Sequence, residues 1–251
     1  KVLSLPYINS SASFGFMMYL VKLFFPLNLC AYYPYPVIKG FDFPIHYYFS
    51  LLFLTGLVIS VFYSLRFSKK IFFGLGFFTI TVFLVLQLLP VGGAVMADRY
   101  SYIPSIGIFY LAGEGLYLLW SKKQKLITYI ILFAIIVLFS IKTYSRCGVW
   151  KNDMTLWNDV ISQYQTVPVA YNNRGTLFID EKKYDKALED FSKAIELNPN
   201  FTDAYINRGV VFLLNKKYDR ALDDFNKTIE LEPNFTDAYY KRGTIFYDEK
   251  N

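Results

Sequence analysis

The chain is poor in the residues that build covalent or metal-held structure, with two cysteines and one histidine among 251 residues. Cys30 lies in an apolar aromatic stretch and Cys147 just after an apolar run, so neither a disulfide framework nor a metal site is expected. Charge is scarce as well, at 18% of residues, against 54% hydrophobic and 20% aromatic. An ordinary soluble domain carries about 25% charged residues, and a lipid phase is the simplest sink for the apolar excess. The opening KVLSLPYINS has no initiator Met and no basic start leading into a short apolar core. A signal peptide is therefore not expected, and the chain reads as a piece of a longer protein.

The formal charge of +6 could suggest nucleic acid, but the surplus sits largely in short Lys/Arg clusters beside apolar runs. Orientation in a membrane accounts for that placement, and no nucleic-acid partner is expected. Composition also divides the chain, with sparse charge up to about Tyr144 and dense Lys, Asp, Glu and Asn from Asn152 onward. The expected domains are a transmembrane region at 1–144, a linker and pre-repeat helix at 145–167, and repeats at 168–251.

Four apolar runs, 43–65, 71–89, 100–120 and 126–141, approach the length needed to span hydrocarbon, which takes about 20 residues at ~1.5 Å each. A fifth, 14–29, carries Lys22 at its middle and Pro26 near its end, and either spans or lies in the interface. Arg66, Lys69 and Lys70 follow the first run, and Lys122, Lys123 and Lys125 follow the third. Lys and Arg are retained on the cytoplasmic side, which puts the loop 90–99 and everything after the last span outside. Lys142, Arg146 and Lys151 argue mildly the other way. The expected location is the plasma membrane, multi-pass, with the repeats extracytoplasmic.

The stretch CAYYPYPVIKGFDFPIHYY reads as an aromatic belt at lipid headgroups, and its His46 is assigned no role. Glu114, in FYLAGEGLYLLW, falls near the middle of a run, where an unpaired carboxylate costs a few kcal/mol. It should face other helices, for packing or for function, and its neighbours Gly113 and Gly115 would let a helix approach closely. In ADRYSYIPSIG, Asp98 and Arg99 stand at a membrane surface with Tyr100 and Tyr102 behind them. The arginine suits either a snorkelling anchor or bidentate phosphate binding with tyrosine hydroxyls as further donors.

From Pro168 the sequence repeats with a period of 34, and 168–201 matches 202–235 at 21 of 34 positions. Tyr171, Gly175, Phe178, Ala187, Phe191, Ala194 and Pro199 recur as Tyr205, Gly209, Phe212, Ala221, Phe225, Thr228 and Pro233, and a partial unit, 236–251, follows. This is the tetratricopeptide (TPR) pattern. Gly175 and Ala187 are small where paired helices cross, Pro199 ends a second helix, and Asp185 and Asp219 are expected as N-caps. In that register the groove candidates are Asn172, Thr176, Ile206, Val210, Tyr240 and Thr244, expected to bind protein or peptide. They lack the basic residues of a carboxylate clamp. Arg174, Arg208 and Arg242 recur before Gly as a duplicated structural unit would make them do. The sequons at Asn9, Asn200, Asn226 and Asn234 fit N-x-[ST], and turn chemistry accounts for the two between repeats.

The combination of KLFFPLNLCAYYPYP, MADRYSYIPSIG and WKNDMTLWNDVI with TPR units resembles the C-terminal portion of the transmembrane and TPR-containing O-mannosyltransferase family and its prokaryotic relatives. The resemblance implies an all-α protein, a polytopic transmembrane helix bundle followed by a TPR α-solenoid. It implies a glycosyltransferase-C activity that moves a sugar from a polyprenyl-phosphate lipid to an acceptor on the outer face, with no other cofactor identifiable. Arg99 matches the family's phosphate-holding basic residue in a late loop, whereas the acidic residue of the first outer loop has no counterpart, so no catalytic residue is expected in this chain. Membrane lipid and an acceptor protein are the implied partners. The alternatives are a membrane-anchored TPR scaffold without catalysis and, more weakly, a transporter.

Overall fold

The computed structural model describes residues 5–34, 45–85 and 94–248; the side chains of His46 and Arg99 lie outside what it describes, as do residues 35–44 and 86–93 of the expected belt, second span and outer loop. The chain divides into two compact units, Lys1–Arg146 and Cys147–Asn251.

In the first unit the apolar runs form helices α1 (Leu5–Phe24), α2 (Ile45–Ser64), α3 (Lys69–Val85), α4 (Tyr102–Ser121) and α5 (Lys125–Val149), the last running past the unit boundary. Several of their hydroxyls return to the helix itself: Thr55 donates to the Leu51 carbonyl at 2.9 Å and Thr79 to that of Leu75 at 2.8 Å, which satisfies those donors without water. Large apolar side chains point outward along α2, α4 and α5, as they do on helices solvated by hydrocarbon. By length and composition, α4 and α5 are long and apolar enough to cross a membrane, and the apolar part 48–64 is shorter. With α3 at 17 residues, two of the four expected spans meet that measure among the described residues.

The helices meet at different glycines from those expected. Nothing lies within 4 Å of a Cβ placed on Gly113 or Gly115. Gly74 of α3 and Gly107 of α4 instead bring the two backbones together. A Cβ on Gly107 would strike the Gly74 carbonyl oxygen and lie 2.9 Å from the Phe78 nitrogen. Small residues do permit the close approach, but the helix rotation that buries Phe78 and Val82 selects Gly74 and Gly107.

The second unit opens with α6 (Asp153–Gln163), held by a capping box in which Asn152 Oδ1 accepts from the Thr155 amide at 2.8 Å. Then come α7 (Pro168–Asp180), α8 (Tyr184–Leu197), α9 (Thr202–Leu214), α10 (Tyr218–Leu231) and α11 (Thr236–Asp248). Each packs on its sequence neighbour, the arrangement of a TPR solenoid. The turns inside the two hairpins are equivalent, with Lys182 and Lys216 both left-handed at φ 58° and 54°. Asp185 and Asp219 are not N-caps. Lys183 and Lys217 hold that position without a side-chain bond, and each aspartate sits in the first turn, where it meets the positive end of the helix dipole.

Phe191 and Phe225 are fully buried, and each fills the space left by a glycine one helix earlier. A Cβ on Gly175 would lie 2.7 Å from Phe191 Cε1. Gly175→Ala is therefore expected to destabilise the second unit by about 1–3 kcal/mol through overpacking, read as a lower urea midpoint by circular dichroism. The equivalent change at Gly243, with nothing within 4 Å, should leave the midpoint in place.

Candidate functional site

In the first unit the site grows from a 3₁₀ turn, Asp98–Ser101, ahead of α4. The Ser101 hydroxyl donates to the Asp98 carbonyl at 2.7 Å and the Tyr100 amide to that of Ala97 at 3.1 Å. A short antiparallel ladder pairs β1 (Tyr33–Pro34) with β2 (Ala94–Met96) immediately before the turn. It brings together two segments about sixty residues apart in sequence, and with them Tyr33 and Asp98.

The Tyr33 hydroxyl donates to Asp98 Oδ1 at 2.8 Å and accepts from the Cys30 amide at 2.8 Å. The Asp98 amide points to the Cys30 carbonyl at 3.4 Å, and the Tyr19 hydroxyl accepts from the Ala97 amide at 3.2 Å. Lys22 donates to the carbonyls of Leu27 and Asn28, closing the bend after α1. Arg146, near the end of α5, places Nη2 at 3.8 Å from Asp98 Oδ2, with 17% and 15% of the two side chains exposed. Burial pushes the Asp98 carboxyl above its usual range, while the Tyr33 hydrogen bond and the Arg146 and Lys22 charges pull it back. Burial and the adjacent carboxylate raise the Tyr33 phenol well beyond its ordinary value, so it stays a donor. Tyr33 is 7% exposed and is thus a buried hydrogen-bonding residue, not part of a lipid-facing belt.

Of the residues expected at this site, Asp98 is the hub, Tyr100 lies in the turn half-buried, and Tyr102 begins α4 with its ring 70% exposed. Arg99 shares the turn. Glu114 is elsewhere, its carboxylate in an ion pair with Lys70 of α3 at 2.6 Å. That pair supplies the neutralising partner a carboxylate in an apolar helix needs. Sequence reasoning missed Tyr33, hidden in an aromatic run, and took Arg146 only as a topology marker, although a lone Arg closing an apolar helix was the available signal.

In the second unit the groove candidates divide. Asn172 is buried, and its Oδ1 accepts from Asn207 Nδ2 at 3.0 Å, joining α7 to α9. Ile206 is a core residue, packed with Phe225, Ala238 and Ile245, because the next repeat covers it. Thr176, Val210 and Thr244 are half-buried. The hydroxyls of Thr176 and Thr244 bond to the carbonyls of Asn173 and Lys241, and Tyr240 stands exposed at 69%. The recurring arginines are structural. Arg174 grips Asp190 through Nε and Nη2 at 2.8 and 2.7 Å, and Arg208 grips Asp224 at 2.9 and 2.8 Å. Their Nη1 atoms reach back to Asn158 and Ser192, as that of Arg242 does to Asn226. Those three acceptors are 34 apart, which puts α6 in the register of a second TPR helix. Residues 1–146 carry 12 basic and 3 acidic side chains against 14 and 17 in 147–251, so the positive surplus belongs wholly to the first unit.

The tetratricopeptide repeat family matches residues 168–201 and 202–235. The chain is 28% identical over 154 residues to human protein O-mannosyl-transferase TMTC3, covering 61% of this chain and 17% of that protein. It is 34% identical over 115 residues to Xenopus laevis tmtc2, covering 44% and 14%. The chain carries TPR repeats and is homologous to protein O-mannosyl-transferases. It spans 14–17% of the length of these two relatives. Among solved structures, the first TPR of Spaghetti (RPAP3) bound to an HSP90 peptide is similar at 24% identity and TM-score 0.39, over 47% of this chain and 94% of that one. MamA is similar at 26% identity and TM-score 0.39, over 43% and 64%.

Proposed function

We propose that the chain is the donor-side and acceptor-binding part of a multi-pass membrane glycosyltransferase that uses a polyprenyl-phosphate sugar, with extracytoplasmic TPR repeats holding the acceptor protein. The homology to protein O-mannosyl-transferases supports the reaction class. The single observation that carries the site is the ladder joining Tyr33–Pro34 to Ala94–Met96. It folds two of the segments on which the resemblance rests into one half-buried polar cluster at the start of α4. Arg99 is the residue assigned to the lipid phosphate, because a guanidinium matches phosphate oxygens bidentately. Asp98 and Arg146 are neighbours, so the turn and the end of α5 lie on one side of the unit, which supports a reading that places both on the same face of the membrane.

The test is transfer of mannose from radiolabelled polyprenyl-phosphate mannose to protein in membranes holding the protein. Arg99→Ala is expected to lower transfer by about 10²-fold or more, as loss of a charge-stabilising donor does. Unchanged transfer removes Arg99 from the reaction. No transfer by the wild type leaves the membrane-anchored TPR scaffold as the reading.

A further inference from the structure

We propose that Tyr33 and Arg146 are positioning residues for the donor site: they clamp Asp98 from opposite sides and so fix the turn that carries Arg99. The inference rests on the proposed function and assigns roles to two residues that reading gives none.

Three of the four polar atoms of Asp98 are hydrogen-bonded, and the fourth, Oδ2, makes no hydrogen bond and faces a cation. Oδ1 accepts from Tyr33 at 2.8 Å, Oδ2 faces Arg146 Nη2 at 3.8 Å, the amide points to Cys30 and the carbonyl accepts from Ser101. These anchors come from three separate parts of the unit, the bend after α1, the 3₁₀ turn and the end of α5. Tyr33 is itself fixed, since its oxygen accepts from the Cys30 amide and its ring lies 5.1 Å from Lys22 Nζ. A residue next to a site so braced cannot drift without breaking several bonds together, and phosphate recognition by a planar fork is sensitive to displacement of about 1 Å. The 3.8 Å separation is too long for a good hydrogen bond, so Arg146 acts on Asp98 through charge. A cation of either shape should serve there. Tyr33, in contrast, acts through one short bond that only a hydroxyl makes.

These two modes give different substitution patterns. Tyr33→Phe, Asp98→Asn and Arg146→Ala are each expected to raise the KM for polyprenyl-phosphate mannose about tenfold while kcat stays within about twofold. Arg146→Lys should restore most of the loss. Binding of polyprenyl monophosphate in detergent micelles should weaken in parallel, with the melting temperature within about 2 °C of wild type. If wild-type protein binds the lipid and Arg99→Ala abolishes binding, but Tyr33→Phe and Arg146→Ala bind as wild type, the positioning role is overturned and the proposed function stands. If the wild type neither binds nor transfers, the proposed function falls. If kcat falls and KM is unchanged, the clamp does not act on donor binding and the inference is overturned.

Discussion

Gly107→Leu is expected to abolish the packing of α3 on α4, whereas Gly113→Leu and Gly115→Leu, on the same helix, are expected to be tolerated. At Gly107 a new side chain would meet the main chain of α3 at two points one turn apart, the Gly74 carbonyl and the Phe78 amide. Neither can move without breaking helical hydrogen bonds. Overpacking into flexible side chains costs about 1–3 kcal/mol; collision with a helix backbone has no such relief, and about 3 kcal/mol or more is expected. The separation of α3 from α4 would also uncover Phe78 and Val82, which are 1% and 0% exposed. The measurement is thermal unfolding of the purified protein in detergent, followed by near-UV circular dichroism. Equal melting of Gly107→Leu and Gly113→Leu would show that the helices do not cross where described.

The second large effect belongs to the repeats. Arg208→Ala leaves the Asp224 carboxylate, whose side chain is 6% exposed, without the guanidinium that binds both of its oxygens. Breaking a buried pair from one side costs about 3–5 kcal/mol, which should lower the urea midpoint at neutral pH markedly. Arg242→Ala should cost far less, since Arg242 makes one exposed bond, to Asn226 at 2.9 Å. Acidity provides a check with a definite sign. Burial raises the Asp224 carboxyl while Arg208 opposes the rise, so removing Arg208 lifts the folded-state value further above the unfolded one. A carboxyl raised on folding favours the protonated folded state, and that contribution is lost as pH rises through the folded value. The gap between Arg208→Ala and wild type should therefore narrow as pH falls from 7 toward 4, read from urea midpoints of the second unit's helical signal. A gap independent of pH would mean that the carboxylate is not what suffers.

The Arg208–Asp224 bond shows how far the 34-residue period could be read. The recurrence of Arg before Gly was visible, and so was its structural character. The partner sixteen residues later carries no mark in the sequence, because Asp190 and Asp224, each next to a packing Phe, look like any other charge on a polar face. The groove candidates failed for a related reason at Ile206: a register position on a repeat says which face a residue occupies, not whether the next repeat covers it. Asp185 and Asp219 have the right residue type for a cap and miss the position by two, since the helix begins at the tyrosine before them.

What the sequence determined by itself is the division into an apolar unit and a repeat unit, the helical character of both, and the hairpin order of 168–248. These follow from local quantities, namely run length, period and the spacing of small and aromatic residues, which every turn of helix repeats. What only the tertiary structure decided is which of several equivalent residues meet. Gly74 and Gly107 cross where Gly113 and Gly115 do not, Tyr33 among many aromatics reaches Asp98, Arg146 closes on the same carboxylate, and Lys70 neutralises Glu114. Helix rotation and long-range strand pairing set those contacts, and an apolar helix with little contrast between its faces carries almost no mark in its sequence of how it will turn.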